Sequence, residues 1–234
     1  MDQLVSHLSR LRTRTRGEYS CPAVLRAPYT GGIEAPEHHS ESMEALYCHI
    51  PGLKVVSPAS PGDARNLLHG AVEDPDPVLF LEPKQVYRSV KEDLPEEPTP
   101  VAPGKARIVR EGDDLTVISW GAMLRMCDRL LRKIDGPPSS ELIDLRSLSP
   151  IDRHTIVRSA KKTGRVIIVQ EAPRNCGLAS EISAILNEEA LLHLKAPVKR
   201  VTGFDTVMPL ARLEDDYLPG ELRLKRAMES TLTF

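Results

Sequence analysis

Two adjacent histidines, His38 and His39, sit among acids and hydroxyls in the run Glu37-His38-His39-Ser40-Glu41-Ser42. An imidazole whose pKa lies near neutrality can give or take a proton at physiological pH, so this run could supply a general acid, metal ligands or polar loop residues. The His-x-x-x-His spacing that sets two imidazoles on one helical face is absent, which argues against a helical metal pair. A second run, Glu171-Ala172-Pro173-Arg174-Asn175-Cys176-Gly177, follows a short apolar stretch and leads into a helical pattern. Open parallel sheets place ligands at such strand ends, and a cysteine near a helix start can gain acidity. No histidine can be assigned to Cys176 from sequence, so the run reads as a structural loop. Asp74-Pro75-Asp76-Pro77 reads as a turn before a buried strand.

Other chemistries are excluded by what the chain lacks. No Gly-x-Gly-x-x-Gly follows a strand pattern and no Gly-x4-Gly-Lys-Ser/Thr occurs, so neither a dinucleotide fingerprint nor a phosphate-cradling loop is present. Cys21, Cys48, Cys127 and Cys176 form no Cys-x-x-Cys, and isolated cysteines in a chain of this size fit a reducing cytoplasm. With 31 basic and 33 acidic residues the formal charge is −2, which gives no electrostatic reason to bind nucleic acid or an anionic membrane. Arg10, Arg12, Arg14 and Arg16 beside Ser and Thr resemble a transit peptide in composition, but Leu4, Val5, Leu8 and Leu11 fall at helical spacing and predict a folded helix over 2–12.

The elements that must hold these residues follow from periodicity and punctuation. A strand is predicted near Pro22–Ala27, a glycine turn at Thr30-Gly31-Gly32, a helix over Ser42–His49 and a short strand over Leu53–Val56. Ser60-Pro61-Gly62-Asp63 combines a capping serine, a proline at the first helical position and an early acid. Val78-Leu79-Phe80-Leu81 is a continuous apolar run of the kind found in fully buried strands. Prolines 95, 98, 100 and 103 break both periodicities and predict an extended connector. Beyond it, strands at 115–120, 141–145, 166–169 and 198–201 alternate with helices at 124–134, 151–161 and 178–192. That alternation predicts an α/β doubly wound domain with a mostly parallel sheet. Ser149-Pro150-Ile151-Asp152 repeats the serine-proline-x-acid pattern and predicts Ser149 as a helix cap. The closing pattern of Leu222, Leu224, Ala227, Met228 and Leu232 reads as a packing helix.

Several segments in one order carry a resemblance: His38–Asp63, Phe80–Ser89, Glu141–Pro150, Lys161–Pro173 and Ala196–Thr206. Together they resemble the beta subunit of the thiamine-diphosphate-dependent 2-oxoacid dehydrogenases, which are transketolase-like enzymes acting on pyruvate or branched-chain 2-oxo acids. The resemblance implies a truncated transketolase-like pyrimidine-domain portion over 1–95, a proline-rich linker over 96–103 and a transketolase C-terminal-type domain over 104–234. It further implies that the chain begins inside the family's first domain, upstream of which lies the glutamate that activates the cofactor.

The same resemblance assigns roles. His39 matches a histidine that precedes a Ser-x-Ser segment, here Ser40-Glu41-Ser42, and assists acylation of a lipoyl group in the active site of an adjoining alpha subunit. Thiamine diphosphate with Mg2+ would be held mainly by that alpha subunit, since the Gly-Asp-Gly motif followed by asparagine is absent here. The bound ring would accept the electrons released with carbon dioxide. A structural potassium ion in some members matches Cys21, Ala23, Val24, Ala71, Asp74 and Asp76, largely through backbone carbonyls. The implied partners are the alpha subunit, a second copy within an alpha2-beta2 assembly, and a lipoyl acyltransferase core. The alternative is a noncatalytic assembly or regulatory protein, or an inactive gene fragment.

Overall fold

The computed structural model describes residues 1–234. The N-terminal helical region is divided into α1 (Asp2–Ser6), a 3-10 turn and α2 (Leu11–Arg14). The continuous helix expected over 2–12 is interrupted at His7, whose backbone leaves helical geometry (φ −125°, ψ −64°). Only Leu4 and Ser9 of this region are buried, so tertiary packing does little to straighten it.

The first sheet follows. β1 (Val24–Tyr29) leads through the Gly31-Gly32 turn and a 3-10 turn at Glu37–His39 to the short helix α3 (Glu44–Cys48). Then come β2 (Lys54–Val56), α4 (Pro61–Glu73) and β3 (Val78–Pro83). The start of α4 forms as its sequence dictates: the Ser60 hydroxyl accepts the Asp63 amide at 3.2 Å, and Pro61 occupies the first turn. β3 lies between β1 and β2, parallel to both, and its four leading residues Val78–Leu81 are buried.

The second sheet comprises β4 (Arg107–Arg110), β5 (Leu115–Ser119), β6 (Ser140–Asp144), β8 (Val166–Val169) and β9 (Lys199–Val201). Between them lie α5 (Gly121–Arg132), the short strand β7 (Ser147–Ser149), α6 (Arg153–Thr163) and α7 (Leu178–Ala190), while α8 (Glu214–Tyr217) and α9 (Glu221–Leu232) close the chain. The order is β4-β6-β5-β8-β9, parallel except for β4, which is antiparallel on the edge. α9 turns Leu224 and Met228 inward and leaves Leu222 exposed.

Two strands escaped the sequence pattern. β4 is half-buried throughout, so it carries no clean apolar signal. β7 is three residues long and pairs antiparallel with β2, so the first sheet has the order β1-β3-β2-β7 and draws a strand from beyond the proline-rich segment. Ser149 is therefore a strand residue, and the expectation that it caps a helix is corrected. Asp152 caps α6 instead, its carboxylate accepting the Thr155 amide at 3.0 Å.

One core crosses the connector, with Tyr29, Leu53, Val55, Leu79 and Leu81 packing together with Ile118, Trp120, Ile143, Ile156 and Ile168. The connector itself is strapped to α4. The Val101 amide donates to the Asn66 carbonyl at 2.9 Å, and the Arg65 guanidinium donates to the carbonyls of Pro95 and Glu97 at 2.7 and 3.0 Å. No helix is long and apolar enough to cross a membrane.

Candidate functional site

The loop from Thr30 to Ser42 leaves the end of β1 and carries both histidines. Thr30 (φ 72°) and Gly32 (φ 81°) adopt left-handed backbone, which reverses the chain directly after the strand. A Cβ on Gly31 would come within 2.5 Å of Met208 Cε, so glycine there allows the loop to lie against the chain's C-terminal segment.

Two carboxylates from the far part of the chain hold this loop. Glu171, just past β8, accepts the Gly31 amide at 2.6 Å and the Ser42 hydroxyl at 3.0 Å on one oxygen. Glu214, at the start of α8, accepts the Gly32 amide at 2.5 Å and the Glu34 amide at 2.8 Å. Both carboxylates are buried. Backbone amides that would otherwise lose their water are thereby satisfied by charged acceptors, the stronger class of hydrogen bond.

The electrostatics are unusual. Burial pushes the Glu171 carboxyl up to about 7 against the pull of its two donors, and the like charges of Glu44 and Glu214 add to the rise. Burial likewise pushes Glu44 up to about 7; its own amide and the Trp120 indole offset only part of that, and neither oxygen has a well-formed hydrogen bond. Lys84 is lowered by burial, with Glu171 and Glu214 acting in the opposite direction.

His38 and His39 occupy the exposed 3-10 turn between these anchor points. Their rings are in contact, with centroids 4.0 Å apart and planes inclined at 43°. His38 Nδ1 lies 3.8 Å from a Glu37 carboxylate oxygen. The result is a fixed base and an exposed imidazole pair, suited to protonating or orienting a group presented from outside the chain. Beside the loop, a cavity of about 260 Å3 is lined by Glu41, Met43 and Leu46 on one side and by Asn175, Cys176, Thr206 and Tyr217 on the other.

Comparison with known proteins places both halves of the chain. Residues 5–90 match the transketolase pyrimidine binding domain, and residues 104–223 match the transketolase C-terminal domain. The pyruvate dehydrogenase E1 component subunit beta of Acholeplasma laidlawii is 48% identical over 92% of this chain and 66% of its own length. The chain belongs to the transketolase-like E1 beta-subunit family. The 3-methyl-2-oxobutanoate dehydrogenase subunit beta of Mycobacterium tuberculosis is 45% identical over 99% of this chain and 67% of its own length. The chain thus spans about two thirds of the length of these curated relatives. Among solved structures, a protein described as a split gene transketolase, inactive beta4 tetramer, superposes with a TM-score of 0.74 at 26% identity, covering 96% of this chain and 72% of that one.

Within this family member the potassium-matched residues come together. The Cys21 amide donates to the Pro75 carbonyl at 3.1 Å, which joins the segment of Cys21, Ala23 and Val24 to that of Ala71, Asp74 and Asp76. The carbonyls of Cys21, Ala23 and Ala71 each already accept one backbone amide, and a carbonyl has a second lone pair to offer. The acids are occupied by protein cations: Lys54 Nζ lies 2.6 Å from Asp74 and 3.7 Å from Asp76, and Arg12 Nε lies 2.5 Å from Asp76. Any further ion there would rely on carbonyls more than on free carboxylates.

For the diphosphate and Mg2+ end of thiamine diphosphate the residues present do not fit. No group of three His, Cys, Asp or Glu residues is placed to hold a metal ion, and no Gly-Asp-Gly motif exists to meet a diphosphate. Cys176 is exposed at a left-handed position (φ 52°) before α7, lining the cavity beside the loop.

Sequence reasoning singled out His39 and the Glu171 run but missed Glu44 and Glu214. Glu44 sits in a short amphipathic helix where an acid reads as solvated. Glu214 opens the acidic triplet Glu214-Asp215-Asp216, which reads as a polar helix start. Burial of each is decided by contacts far away in sequence.

Proposed function

We propose that the chain serves as the beta-type component of a 2-oxoacid dehydrogenase, active with an alpha-type partner. In this reading the partner holds thiamine diphosphate and Mg2+, and the assembled alpha2-beta2 unit decarboxylates a 2-oxo acid and acylates a lipoyl domain of an acyltransferase core. The observation that carries it is sequence identity of 45–48% with both pyruvate and 3-methyl-2-oxobutanoate dehydrogenase beta subunits over nearly the whole chain. Exposed Met43, Leu46, Phe204, Val207, Leu210 and Leu213 support association with other chains. His39 is the residue of this chain that would reach the lipoyl group, and potassium at the Cys21 and Ala71 carbonyls would pin the base of β1. The division into 1–95, 96–103 and 104–234 and a cytoplasmic location belong to the same proposal.

The chain is co-expressed with an alpha subunit from a related dehydrogenase, and the purified complex is assayed with pyruvate and with branched-chain 2-oxo acids. Thiamine-diphosphate-dependent turnover by the complex and none by the isolated chain is the expected result. Turnover by the chain alone, or failure to form a complex with any alpha subunit tried, would overturn the reading.

The solved relative described as an inactive beta4 tetramer supports a second reading, a noncatalytic self-assembling protein or inactive fragment. A stable homotetramer that persists when an alpha subunit is supplied would favour it.

A further inference from the structure

A small cavity of about 10 Å3 lies where the Thr30 turn, Ser42, α3 and the start of α5 meet. Among its lining residues, Thr30 Oγ1, both carboxyl oxygens of Glu44 and Glu171 Oε2 are buried without a hydrogen-bond partner. Thr30, Glu44 and Glu171 are 3%, 1% and 5% exposed, so bulk water does not satisfy them. Leaving such groups dry is costly, and a void of this size accommodates about one water molecule.

The surrounding groups narrow the occupant. The Tyr29 hydroxyl is paired with Ser57 at 2.7 Å, and the Ser42 hydroxyl donates to Glu171 Oε1. No cationic side chain lines the space; Trp120, Ala122 and Met123 complete the wall. Of the neighbouring ionisable groups, the Tyr29 and Tyr217 phenols feel both Glu44 and Glu171, Lys84 feels Glu171, Glu214 raises Glu171, and Cys48 lies near Glu44. No set of three ligating side chains surrounds a metal position.

We propose that the cavity holds one water molecule hydrogen-bonded between Glu44, Glu171 and Thr30, and that a proton resides on the Glu44 carboxyl. Of the two, Glu171 is the first to ionise, because one of its oxygens already accepts an amide and a hydroxyl. The Glu44 amide and the Trp120 indole approach the Glu44 carboxyl without forming a well-aligned hydrogen bond, and two ionised carboxyls sharing a dry wall would repel each other. The elevated position of both carboxyls near neutrality agrees with this arrangement. The water then links α3 to Glu171 and closes a polar chain beneath the histidine loop. The inference rests on this geometry and not on the proposed enzymatic reaction.

The test uses the full chain, Glu44→Gln, Glu171→Gln and Thr30→Val. High-resolution crystallography at neutral pH should show a single water within hydrogen-bond distance of Glu44, Glu171 and Thr30. Infrared spectra at neutral pH should show a protonated-carboxyl component that shifts in D2O, is lost in the Glu44→Gln minus parent difference and is retained in Thr30→Val. In Glu171→Gln, removal of the neighbouring charge should move the midpoint of that band to lower pH. A cavity without water density, a metal ion in its place, or no loss of a protonated-carboxyl component in Glu44→Gln would overturn the proposal. If Glu44→Gln fails to fold, the water density and the pH shift in Glu171→Gln decide the matter.

Discussion

The Glu171 carboxylate accepts the Gly31 amide at 2.6 Å across 140 positions of sequence, and the same oxygen takes the Ser42 hydroxyl from the other end of the loop. A loop with an exposed histidine pair is thus fastened at both ends by one acid of the second matched segment. Loss of those bonds should release the loop. Glu171→Ala is expected to lower stability by about 1–3 kcal/mol and to speed hydrogen exchange over residues 31–42, while Glu171→Gln, which keeps an acceptor, should have a milder effect. Unchanged exchange in the alanine variant would show that the clamp does not order the loop.

The attachment of the connector to α4 has a sharp steric test. A Cβ on Gly70 would lie 2.1 Å from the Val101 carbonyl oxygen, backbone against backbone. Gly70→Ala should therefore destabilise the chain by roughly 2 kcal/mol or more despite the better helix propensity of alanine. The control is Gly136→Ser, where a Cβ meets nothing within 4 Å and only the left-handed backbone (φ +80°) resists substitution. Thermal melts of both variants check the contrast; equal losses would mean that the connector moves aside freely.

Stability should depend on pH in an unusual direction. Glu44 and Glu171 hold their protons to about 7 in the fold, chiefly through burial, against the ordinary 4.5. Asp144 does the same from 3.8, through burial and then the nearby Asp63, with Arg107 and Arg146 opposing. Between those ordinary values and about 7 the folded state binds more protons than the unfolded chain, so stability from these groups is fully present below the ordinary values, declines as pH rises toward about 7 and levels off above it. Denaturant titrations at intervals from pH 5 to pH 8 measure the decline, and Glu44→Gln should flatten the slope. A stability that rises over that range would contradict the assignment.

His39 and His38 differ in expected consequence even though their rings touch. In a reconstituted assembly with an alpha subunit, His39→Ala should slow acyl transfer to a lipoyl domain about 100-fold or more and leave decarboxylation with an artificial electron acceptor nearly unchanged. His38→Ala should be milder. Equal losses in both assays would point to damage of the loop itself, and no loss in either would remove His39 from the reaction.

Much of the architecture was legible in sequence because it rests on local rules. The apolar run Val78–Leu81 became a buried central strand, and Ser60-Pro61-Gly62-Asp63 started α4, since strand burial and helix capping need only nearby residues. The alternating pattern beyond residue 104 gave the doubly wound sheet for the same reason. The family was readable from motif order. Tertiary structure alone decided the rest. Asp63, legible as a helix-start acid, also pairs with Arg107 at 2.6 Å and Arg146 at 3.4 Å, and three-residue β7 forms only because β2 offers an open edge. Glu44 and Glu214 look like solvated acids until folding brings elements distant in sequence over them and removes their water. Desolvation depends on everything packed around a group, and no spacing along the chain encodes it.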